Sequence, residues 1–288
     1  MVIELLLISV GLIGLLAASI SDLKTREVPD WISYGLIISG MVLRGMQSLA
    51  ASDWWYLGYG VIGLVVAWII GNLMFRAKQW GGGDAKLIMG IGTIFVTRPS
   101  YLPLHDIPFL AVTLINIMLV GAVYGILYGI FLAIKNGKKF LQAAGKINKE
   151  KKVKMFKIIA LSIAIIVILI SKFTAIETGI KMALGIASLL MLLYPYVFIL
   201  IKGVEKSSLF KHISVNKLTP GDWVEQDVYK NGKIIYKKKP LGIEKEDILI
   251  LTKAKIKEVL VKEGIPFIPP FFIGVLISVI TGKIIGIL

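Results

Sequence analysis

Apolar residues fall in long blocks separated by short polar stretches, with little of the alternation expected of half-buried strands. The blocks cover about 2–20, 31–50, 54–75, 86–97, 107–134, 157–173, 180–201 and 266–288. Several approach the roughly 20 apolar residues that cross a bilayer as one helix. The pattern predicts an all-α polytopic membrane bundle of about eight transmembrane helices. The fourth block is short for a full crossing, so a tilted or partly re-entrant helix is expected there. The first block has Glu4 as its only early charge, and Lys24 and Arg26 follow it. It therefore reads as a span, not as a secretory signal with a basic head.

Residues 202–265 break the pattern as the one sizeable polar segment. LTPGDW reads as a turn, and WVEQDVY followed by KNGKIIYKKK reads as a hairpin with Asn231-Gly232 at its tip. A helix from about Glu244 to Lys262 is predicted next, with acidic residues in its first turn. The expected organisation is a transmembrane bundle over 1–201, a small α+β cytoplasmic insert over 202–265 and a last helix over 266–288.

Composition agrees with a membrane protein: 56% of the 288 residues are hydrophobic and the mean hydropathy is +0.80. A soluble core could not cover that much apolar surface. Of the 33 lysines and arginines, 28 fall in the connections 21–30, 76–86, 135–157 and 202–265. The positive-inside rule then puts both termini outside and these connections in the cytoplasm. The net charge of +15 reads as a lysine-rich face near anionic lipid. The basic loop 135–157 offers only two phenylalanines, at its edges, which argues against a nucleic-acid partner. There are no cysteines, and His105 and His212 lie far apart, so no metal or other cofactor is expected.

Chemistry enters with GGGDAK at 81–86. Asp84 sits at the inner mouth of the fourth block, and Asp22, in SDLKTREVPDW, at the inner mouth of the first. Both carboxylates are thus expected at one membrane face and at similar depth. Ionisable groups at a span's edge turn toward the bundle interior. Two carboxyls sharing one proton can activate water for attack on an amide, one as base and one as acid. Gly81 to Gly83 are expected to permit positive φ and close approach to an extended peptide. Taken alone, GGGD reads as a turn with a helix-capping aspartate. Glu27 and Asp30 are nearby acids, read as a solvated loop residue and the N-cap of the second span, or as attractors of a basic peptide.

Together, SDLKTREVPDW and GGGDAKL resemble the prepilin peptidases, a GxGD family of aspartic proteases that includes archaeal preflagellin peptidases. The resemblance covers residues 1 to about 130, with an echo in GIPFIPPFFIGVL at 264–276. It implies Asp22 and Asp84 as the catalytic pair, with Gly81 and Gly83 as the motif glycines of a substrate loop. It also implies precursors with short, basic type IV pilin-like leaders as substrates, archaellins or pilins, cut at the cytoplasmic face. Lacking cysteine and a Gly-rich cofactor fingerprint, the chain is similar to the archaeal, cleavage-only type. No Pro-Ala-Leu motif of the presenilin type is present.

Two other classes fit a polytopic chain with carboxylates at span ends: a proton-coupled secondary transporter and a non-enzymatic scaffold for pilus assembly. Transporters should show internal repeats and charges near the midplane. Neither is visible, and Arg44, the one deep charge, is expected to snorkel outward. Within the pair, the positive end of a helix dipole favours ionised Asp84 as resting base, and Asp22 is expected as resting acid. Lys86, if turned toward the site, would add to that bias.

Overall fold

The computed structural model describes residues 2–173, 177–240 and 242–286. Among the described residues there are ten α-helices: α1 (Val2–Thr25), α2 (Asp30–Ala51), α3 (Trp55–Arg76), α4 (Gly82–Ile94), α5 (Phe109–Lys135), α6 (Gly137–Asn148), α7 (Lys151–Phe173), α8 (Thr178–Val204), α9 (Lys245–Lys253) and α10 (Pro269–Thr281). Five short strands accompany them: β1 (Phe210–Ser214), β2 (Trp223–Val224), β3 (Val228–Lys230), β4 (Lys233–Tyr236) and β5 (Glu258–Lys262).

The all-α polytopic membrane fold stands; the count of eight spans is not confirmed. Among the described residues, five helices are long and apolar enough to cross a membrane: α1, α3, α5, α7, and α8 with the turn that follows it. The helices α4 and α10, for which crossings were expected, have 13 residues each. At 1.5 Å per residue each rises about 20 Å, short of a hydrocarbon core of about 30 Å. Helix α2 is long enough at 22 residues, but its serines, Asp30, Arg44 and Gln47 dilute the apolar run. The last expected span, 266–288, is helical only from Pro269 to Thr281, and its final two positions lie outside the described residues.

By its internal contacts the chain divides into two units, residues 1–125 with 213–259 and 264–288, and residues 126–212 with 260–263. In the first, α2, α3 and α4 pack closely through small residues. A Cβ on Gly63 of α3 would collide with the Gly92 carbonyl of α4, and one on Gly92 with that of Gly63. Backbones approach this closely only where both side chains are absent, a common packing device of membrane helices. Leu15, Leu87, Ile88, Ile91, Phe95, Phe271 and Val275 fill the shared core.

Helix α4 ends on Arg44. This side chain, 1% exposed, donates from Nε to the Thr93 carbonyl at 2.6 Å. One terminal nitrogen donates to the Ile94 carbonyl at 2.9 Å and to Thr97 Oγ1 at 3.1 Å. The expected outward snorkelling is therefore wrong. The last carbonyls of a helix lack partners within it and carry the negative end of its dipole, and a guanidinium satisfies both demands.

In the second unit, Phe156 of α7 meets Tyr194 and Phe198 of α8 edge-on, with ring centroids 5.7 and 5.9 Å apart. Phe140 of α6 lies against Gly203 of α8. Glu205 accepts Lys202 at 2.6 Å and Lys262 at 2.5 Å.

The polar segment contains the expected hairpin. Strands β3 and β4 pair antiparallel across Asn231 (φ 51°) and Gly232 (φ 76°), the left-handed pair that a two-residue turn demands. The Thr219–Asp222 turn is present as well. The helix expected over 244–262 is only half right. Asp247 accepts the Glu244 N–H at 3.0 Å and starts α9, but Lys255 turns left-handed (φ 54°) and ends it. The chain then enters β5, in a sheet ordered β1-β5-β2. The alternating burial of Glu258–Lys262 is a strand period that a helical window hides.

Candidate active site

Asp22 lies in the last turn of α1, where SDLKTREVP dictates how the helix stops. Arg26 adopts φ 60° and its N–H bonds back to the Asp22 carbonyl at 2.8 Å. Ser21 Oγ donates to the Glu27 carbonyl at 3.0 Å, and Thr25 Oγ1 to the Ser21 carbonyl at 3.0 Å. Such hydroxyl bonds fix a tight, non-helical exit. Pro29 then sets the entry of α2. Asp22 itself is 5% exposed. Its Oδ2 accepts the backbone N–H of Ile268 at 2.8 Å.

Asp84 is the third residue of α4 and reaches back to accept the Gly81 N–H at 2.9 Å. This is half of a capping box; Gly81, with no side chain, returns nothing. Asp84 is half-buried, and burial pushes its carboxyl up to about 6. The Gly81 bond opposes that rise and the charge on Asp22 adds to it. Desolvation thus opposes the ionised form that the helix dipole favours at Asp84. That the Asp22 charge is felt at Asp84 links the two electrostatically.

The motifs also touch through carbon. A Cβ on Gly83 would lie 3.2 Å from Val28 Cβ, so the third glycine seats GGGD against the loop that follows Asp22. Gly81 has more room, with Asp84 Oδ2 at 3.6 Å as the nearest atom to such a Cβ. It lies at φ −72° and ψ 168°, extended backbone open to any residue. The positive φ expected of these glycines is absent from all three. Close approach is what the motif uses, and only at Gly83 is it tight.

Lys86 does not serve Asp84. Its Nζ lies 2.7 Å from Asp30 Oδ1 and 5.7 Å from the centroid of the Tyr34 ring. Asp30 is the first residue of α2, with Pro29 at the cap position. Glu27 is likewise engaged, accepting Thr219 Oγ1 at 2.8 Å.

Several residues around the pair were not singled out from the sequence. Trp80, 5% exposed, precedes the glycines and packs edge-on against Phe271 of α10, centroids 5.2 Å apart. Arg26 donates to the Gly264 carbonyl at 2.5 Å. The signal for Trp80 was an aromatic beside a glycine run, and for Ile268 a segment stripped of donors by prolines. Neither names its partner.

Residues 9–130 match the model of the type IV leader peptidase family. A preflagellin peptidase of Methanocaldococcus jannaschii is 41% identical over 97 residues, 33% of this chain and 40% of that protein. A preflagellin peptidase of Methanococcus voltae is 31% identical over 133 residues, covering 44% and 57% of the two chains. The prepilin peptidase EppA of Methanothermobacter thermautotrophicus is 22% identical across 100% of this chain and 97% of its own. The two preflagellin peptidase matches thus span between two fifths and three fifths of those relatives. Residues 9–130, the segment similar to the type IV leader peptidase family, hold both aspartates.

Proposed function

We propose that this protein is a membrane-embedded aspartic endopeptidase that removes the short basic leaders of type IV pilin-like or archaellin precursors. The observation that carries the reading is the meeting of the two motifs in one unit. The charge on Asp22 raises the Asp84 carboxyl, Gly83 seats against Val28, and both aspartates lie within the family match. A carboxyl raised to about 6 lets a pair hold one shared proton near neutral pH.

With one proton on the pair, the ionised carboxylate takes a proton from water as the oxygen attacks the scissile carbonyl carbon. The protonated partner gives its proton to the carbonyl oxygen. The tetrahedral diol then collapses: the carbon–nitrogen bond breaks, the amine nitrogen gains a proton, and the pair returns to its starting state. Leaders of this kind precede a hydrophobic helix, so the cut falls at a membrane face. The arginine and lysine distribution supports the cytoplasmic side for that face. The test is incubation of detergent-purified protein with a pilin-type precursor, followed by N-terminal sequencing of the product. A single new N-terminus at the end of the leader is expected. Uptake of protons or solute into vesicles without cleavage would favour the transporter reading instead.

A further inference from the structure

The start of α10 is built around an odd scarcity of hydrogen-bond donors. Helix N-termini leave their first N–H groups without intrahelical partners. Here Pro269 and Pro270 occupy the first two helical positions and have no N–H to offer. The Phe271 and Phe272 N–H groups turn back to the Ile268 carbonyl at 2.8 and 3.3 Å. Pro266 removes one more donor just upstream. What remains is the consecutive pair Phe267 and Ile268. Of the two, the Ile268 N–H donates to Asp22 Oδ2 at 2.8 Å. The Ile268 side chain is fully buried. The far end of the segment is tied down as well, with Arg26 on the Gly264 carbonyl.

We propose that Gly264–Ile268 is a carboxylate cradle, a positioning element whose Ile268 N–H holds the Asp22 carboxyl in its reactive orientation. The catalytic purpose of the cradle rests on the peptidase reading above; the cradle itself does not. A backbone N–H aimed at a carboxylate oxygen fixes its direction and favours the charged carboxylate over the acid. The prolines that follow Ile268 leave its N–H at the helix entrance, facing Asp22. Tethering by Arg26 couples the cradle to the same loop that ends α1, so Asp22 is gripped from both sides of its turn.

Other charges near Asp22 are few. Arg26 lies on its own turn and Asp84 on α4. Asp30 of α2 and Lys86 of α4 pair with each other, Glu27 is bonded to Thr219, and Pro269–Thr281 contains no ionisable residue. Loss of a cradle donor should therefore read out at Asp22 itself.

The test compares Ile268→Pro, which removes the donor at a residue whose φ of −77° proline accepts, with Ile268→Ala, which keeps the donor and removes packing. The Asp22 carboxyl is titrated by infrared difference between each protein and its Asp22→Asn counterpart. Precursor cleavage is followed across the same pH range. Ile268→Pro is expected to raise the Asp22 midpoint by about one pH unit and to carry the acidic limb of kcat/KM upward with it. Ile268→Ala is expected to keep the midpoint within about 0.3 unit, whatever its rate. An unmoved midpoint in Ile268→Pro overturns the cradle, as does an equal rise in Ile268→Ala, which would make packing the cause. Should the proline variant fail to insert, replacing Ile268 by its α-hydroxy acid removes the same N–H and keeps the side chain, with the same expectation. If the unaltered protein cut no precursor, the peptidase reading would fall while the infrared titration still decided the cradle.

Discussion

Asp84 takes its backbone hydrogen bond from a residue three positions earlier, whereas Asp22 takes its from one 246 positions later. The first bond forms inside a single helical turn and follows from the local spacing of Gly81 and Asp84. The second exists only after the end of the chain has packed against its beginning. One carboxylate is thus placed by its own helix, and the other by tertiary structure. Asp84 should keep its geometry under local perturbation, and Asp22 should lose it whenever α10 is disturbed.

The largest expected effect treats the two settings alike. Asp22→Asn and Asp84→Asn should each lower precursor cleavage by about a thousandfold or more, because each removes a proton-transfer partner. Membrane insertion and the amount of purified protein should not change. Substantial activity in either variant would show that the two carboxylates are not a working pair, however similar their bonds.

A smaller effect separates the glycines. Gly83→Val places side-chain carbon against Val28, where even a Cβ would have 3.2 Å. It should push GGGD away from the Asp22 loop, and a displacement of about 1 Å can cost on the order of a hundredfold in rate. Gly81→Ala fits its extended backbone and meets no protein atom closer than 3.6 Å. Its rate should stay within about threefold of the original protein, since surface substitutions without a clash cost little. The reverse order of sensitivity would move the critical contact from the loop interface to the N-terminus of α4.

The same division between local and distant contacts explains how much could be read from the sequence. Long apolar blocks announce membrane helices, and Asn231-Gly232 announces a hairpin, because each depends on neighbouring residues alone. Asp22 and Asp84 draw notice for the same reason, since each sits in a short motif of adjacent residues. What could not be read are facts about partners: that Arg44 turns inward to α4, that Lys86 chooses Asp30, that Ile268 meets Asp22. The expected count of eight spans, which the helix lengths do not confirm, depends on partners in the same way. Hydropathy treats α4 and α10 as crossings, yet their lengths are set by what caps them, Arg44 at one end and a proline pair at the other.

Stability against pH offers a third measurement, with a modest effect. Burial raises Asp84 from 3.8 to about 6 in the folded protein. The folded state therefore holds this proton more tightly than the unfolded chain does. The native protein should lose stability as pH climbs from about 4 to about 6, by at most about 3 kcal/mol. Asp84→Asn has no proton to lose. Its thermal stability relative to the original should therefore improve steadily over that window and level off above it. A difference that stays flat with pH would mean that water reaches the Asp84 carboxyl and that its local bond to Gly81, not burial, governs it.

The smallest expected effect concerns Lys86, where charge and distance pull in opposite directions. By sequence it stands two places from Asp84 and should favour that carboxylate, so its removal should shift the acidic limb of the cleavage profile upward. In the structure its ammonium is bound to Asp30 at 2.7 Å and lies over Tyr34. The neutralising partner cancels most of the field that Asp84 would feel, and a half-exposed pair is further screened by solvent and salt. Lys86→Met should therefore move the acidic limb by less than about 0.3 pH unit. Asp30→Asn provides the sharper arm, because it frees the lysine while leaving its charge in place. If Lys86 then turned to Asp84, the limb would move downward, and Lys86→Met added to Asp30→Asn would restore it. A clear upward shift in Lys86→Met alone would mean that the lysine divides its time between the two aspartates. Asp84 would then be held by more than its own helical turn.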